Sequence, residues 1–375
     1  MILYVFSGCE KDGGSEEDKI KDGNFLHALI RAGIDANGDS IISQQEAEVV
    51  KYLDVSYCEI SDLSGIQAFT NMDSLNCSGN KLTGIDISQN SVLIKLWCSN
   101  NLLTSLDVSR NTLLEILNCS SNQLKSLDIS KNTALNGLEY SYNQLTSLDV
   151  SNQPDLLWLW CDDNKLTNLS VSNCNALTDL GCSRNQLTSL DVSNLKDLLH
   201  LFCELNKLNN LSVSNNRALE WLYCCDNQLS EIDVSNLSKL IEHSCCNNLL
   251  TALNISNNKA LTYLGCRYNQ LTVLDVSNNN ALEWLTCEVN QITALDVSNL
   301  KDLQYLWCGG NLLTSLDISQ NTKLGTGPYA NEALAINDMP GLVKVCVWTL
   351  PFPVWPVTVY SNGSPNVTYT MDCSK

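Results

Sequence analysis

The chain has 375 residues and a formal net charge of −19, with 41 acidic against 22 basic side chains. That balance leaves no basic stripe for a nucleic acid and disfavours an anionic membrane surface as a direct ligand. No run of 18 apolar residues occurs, so no membrane-spanning helix is expected.

Met1 to Gly8 is apolar and closes on Phe6, Ser7, Gly8 and Cys9. This resembles the tail of a bacterial lipoprotein signal, with small residues before the cysteine. The resemblance implies that residues 1–9 are a truncated signal and that Cys9 is lipidated, anchoring the chain to a membrane. Residues 10–20 form an acidic tether with too few apolar side chains to fold alone. An acidic stretch after the cysteine resembles the surface-export signals of some Gram-negative lipoproteins, which implies the outer surface of the cell.

Residues 21–52 read as a small helical cap. Phe25 to Ala32 predicts an entering helix, and Ser43 with Glu46 opens an exit helix expected to run to about Tyr52. Between them, oxygen side chains fall at Asp35, Asn37, Asp39, Ser43 and Glu46, positions 1, 3, 5, 9 and 12 of a twelve-residue loop. The loop resembles an EF-hand. That implies one structural Ca²⁺ held by Asp35, Asn37, Asp39, the Ile41 carbonyl, Ser43 and both oxygens of Glu46. Position 6 is Ser40 where glycine is usual, which puts the sharp turn in question. The plain alternative is an Asp/Asn-rich turn.

Residues 53–324 repeat. Leu93, Leu96, Cys98, Asn101 and Leu103 set a spacing that returns every 21 residues. Cysteine holds its place at 77, 98, 119, 161, 182, 203, 224, 245, 266, 287 and 308, with Tyr140 in the remaining unit. Three residues on, asparagine appears in all twelve units, from Asn80 to Asn311. The second half of each unit reads like Leu106, Asp107, Val108, Ser109. This resembles the leucine-rich repeat family in its short bacterial, internalin-like form, and implies a solenoid that binds a partner. Apolar residues two apart in both halves predict a mostly parallel β solenoid with strands on both faces and little helix.

One such coil points about six apolar side chains inward, each worth ~1.5–3 kcal/mol on burial. Ordering its residues costs ~1–2 kcal/mol each, so coils must stack to fold. The asparagine column is expected to satisfy backbone groups where the chain leaves the strand. The cysteine column reads as small, buried free thiols: stacked in register, the side chains are poorly placed for disulfides, and no Cys-x-x-Cys pair offers zinc its usual spacing. Cys225 and Cys246 follow the core position, should point outward and lie one period apart; they can pair or react. The aspartates of the second half, such as Asp107, Asp191 and Asp275, form turns or a weak cation site.

The outward columns of the first strand are the informative ones. One holds Trp158, Asp179, His200, Trp221, Tyr263, Trp284 and Tyr305; the next holds Trp97, Trp160, Phe202, Tyr223 and Trp307. Six of the eight tryptophans fall here, as a recognition surface would require and a solvated face would not. Acids are interleaved at Asp162, Asp163, Glu204, Asp226 and Glu288. The expectation is a non-catalytic cell-surface monomer that recognises a protein. Alternatives are a glycan on the same ladder, with Gly181 leaving a gap for a ring, or a spacer whose aromatics merely cover each other. His200 lies near Asp179 and Glu204 without a serine nucleophile, and His243 occupies an inward leucine position.

Residues 325–375 break the period and read as an irregular β cap. Leu342, Val345 and Val347 suggest one last strand. Pro351, Pro353 and Pro356, with Trp348 and Trp355, are expected to cover the open end. Cys346 and Cys373 flank this segment as the best disulfide candidate.

Overall fold

The computed structural model describes residues 19–151, 153–328 and 333–373. Cys9 and most of the acidic tether lie outside the described residues. The chain divides into two compact units, Met1–Leu135 and Asn136–Lys375.

The first unit opens on helix Gly23–Arg31, which buries Phe25, Ala28 and Leu29. Asp22 caps it through one oxygen, accepting from the Asn24 and Phe25 amides at 2.8 and 3.1 Å. Its other oxygen accepts from the Ser61 amide and hydroxyl at 2.8 and 2.7 Å. One carboxylate thus starts the helix and ties it to the first coil. The second helix, Gln44–Glu48, carries a capping box between Ser43 and Glu46. It is shorter than the sequence predicts: Tyr52 pairs with Ser74, so Tyr52–Asp54 is a strand and the helix must stop before it. Strands Ser74–Asn76, Lys95–Trp97 and Ile116–Asn118 follow in parallel register, Ser74 opposite Lys95 and Lys95 opposite Ile116.

In the second unit the same parallel ladder runs from Gly137–Glu139 through Trp158–Trp160, Asp179–Gly181, His200–Phe202 and Trp221–Tyr223. It continues through Glu242–Ser244, Tyr263–Gly265, Trp284–Thr286 and Tyr305–Trp307. Each strand has three residues, and its middle side chain is buried. Every unit is therefore a leucine-rich repeat solenoid with a strip of short parallel strands along one side.

Opposite that strip the inward–outward alternation persists: Leu106 and Val108 are buried and Asp107 is exposed. Ladders form there at Ser147–Asp149 with Asn168–Ser170, and at Ser315–Asp317 with Lys344–Cys346 and Thr368–Thr370. The extended run is kept short because the aspartate turns the chain on itself. Asp107 Oδ1 accepts the Ser109 amide at 2.9 Å, and Asp191 and Asp275 do the same for Ser193 and Ser277. These bonds hold the carboxyls below their usual range. The column is turn chemistry.

The core is dry leucine and thiol. The cysteines of the column from Cys77 to Cys308 are buried, and none of them is disulfide-bonded. Burial pushes Cys77 up to about 12 and holds Cys182 and Cys245 well above the usual thiol range. After each cysteine the chain turns through a left-handed residue, among them Asn100, Leu205 and Val289 at φ 54, 54 and 50°. A non-glycine side chain there costs roughly 1–2 kcal/mol. The next residue, always asparagine, offsets it. Asn101 Nδ2 donates to the Cys77 and Cys98 carbonyls at 3.0 and 3.1 Å, while Oδ1 accepts the Leu82 amide at 3.0 Å.

The end of the chain holds more strand than the sequence suggests. Leu334–Ala335 and Val359–Tyr360 extend the main strip, and Lys344–Cys346 and Thr368–Thr370 extend the opposite side. Cys346 and Cys373 form a disulfide with a Cα–Cα distance of 5.6 Å. Trp355 covers nothing: it is 92% exposed. Phe352 fills the place expected of it, packed between Trp348 and Tyr369 at 5.4 and 5.0 Å.

Candidate binding face

The strand strip of the second unit brings most of the sequence-picked residues onto one side. With the middle leucine of each strand inside, Trp158, Trp160, Asp179, His200, Phe202, Tyr223, Tyr263, Trp284 and Trp307 emerge half-buried, and Trp221 is 37% exposed. Trp97 holds the same half-buried position in the first unit. Tyr305 departs from expectation: it is 3% exposed, because Trp284 lies on it at 4.4 Å. Its ring supports the surface without being presented.

The rings gather in two groups. Phe202 stacks on Tyr223 at 5.3 Å and meets Trp160 at 5.7 Å, while His200 lies on Trp221 at 4.4 Å. Further along, Trp284 contacts Tyr263 and Trp307, both at 5.8 Å. Glycines make room for the rings. A Cβ at Gly137 would overlap the Trp158 indole, and one at Gly181 would overlap Trp160. The gap expected at Gly181 is therefore already filled by this chain's own tryptophan. The Trp158 and Trp160 indoles lie over these small neighbours.

Burial also governs the acids of this face. Asp162, Glu204 and Glu288 are pushed up by desolvation, against hydrogen bonds that lower them. Asp162 accepts the Ser183 amide at 2.7 Å, and Glu204 accepts the Ser183 hydroxyl at 2.6 Å. Beside them a recess of about 360 Å³ is lined by Glu139, Trp160, Asp162, Asp163, Ser183 and Arg184. His200 Nδ1 lies 2.5 Å from Asp179 Oδ1, a pairing that fixes the imidazole against Trp221. Tyr223 donates to Glu242. Inside, His243 takes the leucine place, wholly buried, with Nδ1 on the Leu222 carbonyl at 3.0 Å and Nε2 without a partner. Burial pulls it down to about 4. The sequence reading located the aromatic column by its period but missed the glycine slots, since nothing in the period says which way an indole will fold.

Comparison with known proteins agrees with this fold. The functional domain of InlJ from Listeria monocytogenes, described as including a cysteine ladder, is 33% identical, covers 85% of this chain and 80% of its own, and superposes with a TM-score of 0.72. The chain belongs to the internalin-like leucine-rich repeat proteins. A second internalin from Listeria monocytogenes, InlF of strain 4b F2365, shares the fold at 22% identity and a TM-score of 0.64, over 94% of this chain and 96% of that one. A plant peptide hormone receptor, RGFR1 in complex with RGF2, shares it at 18% identity and a TM-score of 0.63, over 86% of this chain and 55% of that one. A model described as the LVIVD repeat matches residues 209–248 and 251–283, two stretches inside the array. No curated protein matches the chain.

Outside the array, this internalin-like chain carries the loop from Asp35 to Glu46. Ser40, at the place where glycine is usual, takes the left-handed turn at φ 64°. Asp35 accepts the Gly38 and Ser40 amides at 2.8 and 3.0 Å, and Asp39 accepts the Ile41 amide at 2.8 Å. Glu46 reaches back across the loop, with Oε1 on the Ala36 and Asn37 amides at 2.8 and 3.3 Å and Oε2 on the Ser43 amide at 2.9 Å. The Ser43 bonds lead in pulling its carboxyl down to about 2. The loop thus has the turn and an all-oxygen donor set suited to a hard divalent cation.

Proposed function

We propose that this chain is a non-catalytic, surface-exposed binding protein that recognises a protein partner through the strand strip of its second unit. The observation that carries the reading is the pair of aromatic groups around Trp221 and Trp284, half-open rings flanked by desolvated acids. Holding Asp162, Glu204 and Glu288 partly out of water costs stability, so a partner with basic and apolar groups would recover what folding gives up. A plant peptide hormone receptor that shares the fold forms a complex with RGF2, which supports a binding role for such a solenoid. The glycan reading is weaker because Trp160 already occupies the slot at Gly181.

Three further expectations belong to the same reading. The loop would hold one structural Ca²⁺ through Asp35, Asn37, Asp39, the Ile41 carbonyl, Ser43 and Glu46. Cys9 would carry a lipid that anchors the chain to the outer surface of the cell. The chain would act as a monomer. The test is a binding screen against purified microbial and host surface proteins, run beside a glycan array. A protein partner should lose about 30-fold in affinity with Trp221→Ala, as expected of a central aromatic anchor. Binding that survives Trp158→Ala, Trp160→Ala and Trp221→Ala together would overturn the reading, and glycan signals lost in those variants would replace it. For the loop, calorimetric titration of the protein with Ca²⁺ should show one site that disappears in Glu46→Gln.

A further inference from the structure

Between the two aromatic groups lies a polar cluster that the binding reading does not use. Cys225 and Cys246 continue the register of Tyr223 and Ser244, one rung apart, where adjacent strands sit ~4.8 Å from each other. The Cys246 amide donates to Cys225 Sγ at 3.0 Å. The Ser244 hydroxyl lies 3.0 Å from Cys225 Sγ and 3.6 Å from Cys246 Sγ, so one oxygen touches both sulfurs. Arg267 stands on the next rung, with hydrogen-bond and charge contact to Cys246. A Cβ at Gly265 would sit 2.8 Å from Ser244 Oγ, 3.0 Å from Tyr263 Oη and 3.2 Å from Cys246 Sγ, so the missing side chain is what lets two hydroxyls and a thiol converge.

The hydrogen bond from Cys225, ahead of Ser244 and Arg267, pulls the Cys246 thiol down, while the same bond and burial push Cys225 up. The two sulfurs therefore titrate as a pair, with the proton favoured on Cys225 over Cys246. Cys225 is half-exposed and Cys246 is 5% exposed, so an incoming reagent meets Cys225 first.

We propose that Cys225 and Cys246 form a reactive dithiol that exchanges with low-molecular-weight disulfides, closing a reversible bridge across two rungs of the binding face. In the first step Cys246 takes the proton of Cys225, and the Cys225 thiolate so formed attacks one sulfur of RSSR. A protein–SR bond forms, the S–S bond breaks, and RS⁻ leaves. In the second step Cys246 gives its proton to the solvent, attacks the Cys225 sulfur and expels the second RS⁻. The two protein thiols are oxidised by two electrons, and RSSR is reduced to two thiols. The amide of Cys246 and the Ser244 hydroxyl stabilise the charged Cys225 sulfur, and Arg267 does so for Cys246. A closed bridge would lie between Trp221 and Trp284, so the redox state of the surroundings would reach the surface that binds.

The test uses the full chain with Cys9→Ser and Cys58→Ser, because Cys58 is only half-buried and open to the same reagent. The folded protein is treated with excess dithiobis(nitrobenzoate). Two equivalents of coloured thiolate should be released per chain, the product should be lighter by two hydrogens, and digestion should yield a peptide linking residues 225 and 246. Cys246→Ser should release one equivalent and keep the reagent on Cys225. Total thiols measured in denaturant control for each variant's integrity. No release from the folded protein, or two equivalents with reagent retained on both cysteines, overturns the proposal.

Discussion

Asn101 and Asn111 lie in the same coil, both buried; Asn101 donates through Nδ2 to one carbonyl of the coil before and one of its own, Asn111 to two carbonyls of the coil before. Their columns behave differently along the chain. The first is asparagine in all twelve units, while the second also accepts Gln153, Cys174, Leu195, Leu237 and Leu300. The hydrogen bonds explain why. Asn101 Oδ1 is the acceptor for the Leu82 amide, and its Nδ2 serves the Cys77 carbonyl, whose other donor is again an asparagine, Asn80. Asn111 instead adds a second bond to the Ile87 and Asn90 carbonyls, which already accept the Asn90 and Leu93 amides, and its own Oδ1 has no partner. One column completes the backbone; the other embellishes a backbone already complete.

The largest effect is expected where the first column is cut. Asn290→Ala leaves the Leu271 amide without the Oδ1 that accepts it at 3.0 Å, although the Cys266 and Cys287 carbonyls each keep one donor, from Asn269 and Asn311. An orphaned buried amide plus the small void should cost about 3 kcal/mol, read as a lowered urea midpoint. A loss under about 1 kcal/mol would erase the contrast between the columns.

The next effect comes from a core site where a polar group is not completed at all. His243 is neutral when folded, with its pKa near 4 against 6.5 unfolded. The unfolded chain therefore takes up protons first, and stability falls as pH drops from about 6.5 toward 4. Between pH 7 and 5 this amounts to about 2 kcal/mol. Asp162, Glu204 and Glu288, raised by burial, act in the opposite sense over their own window, so the comparison must be with His243→Leu in otherwise identical protein. That variant should lack the acid loss and be no less stable at pH 7. Parallel pH curves for the two proteins would show that His243 is not held neutral.

The sequence made these columns legible because a 21-residue period repeats each position often enough for its tolerance to be seen. Leu96 and Cys98 announce an inward-facing strand by alternation, and the invariant asparagine announces a backbone debt. The period is silent where a side chain's direction decides the outcome. Nothing in Trp160 or Gly181 alone says that the indole lies down on the glycine. Val289 in a left-handed turn contradicts its own local preference and is placed there by Asn290 and the neighbouring coils. Single-copy segments were read least well: the exit helix stops early because Tyr52 is claimed by the sheet, and Trp355 is left in solvent because Phe352 packs instead.

A smaller effect separates the two acidic columns. Asp233 on the turn side accepts the Ser235 amide at 3.0 Å, and the Ser235 hydroxyl together with this amide lowers its carboxyl. A lowered carboxyl contributes stability above its unfolded value, lost as pH falls through the folded one. Asp233→Ala should cost about 1 kcal/mol at neutral pH and leave partner binding unchanged. Glu204→Gln, on the strand side, should do the reverse, weakening binding while stability holds or rises, since it removes a desolvated charge.

The smallest effect is the one that most directly tests the opening contrast. Asn258 donates to the Val234 and Leu237 carbonyls at 2.9 and 2.7 Å, and these also accept the Leu237 and Leu240 amides at 3.0 and 3.1 Å. Removing its amide leaves no carbonyl without a donor, and it removes an Oδ1 that is buried without one. Leucine already occupies the equivalent place at Leu237 and Leu300, both fully buried. Asn258→Leu should therefore move the urea midpoint by less than the equivalent of about 1 kcal/mol in either direction. A loss as large as that of Asn290→Ala would mean that the second bond to each carbonyl carries the coil after all, and that the leucine-bearing units survive by some compensation specific to them.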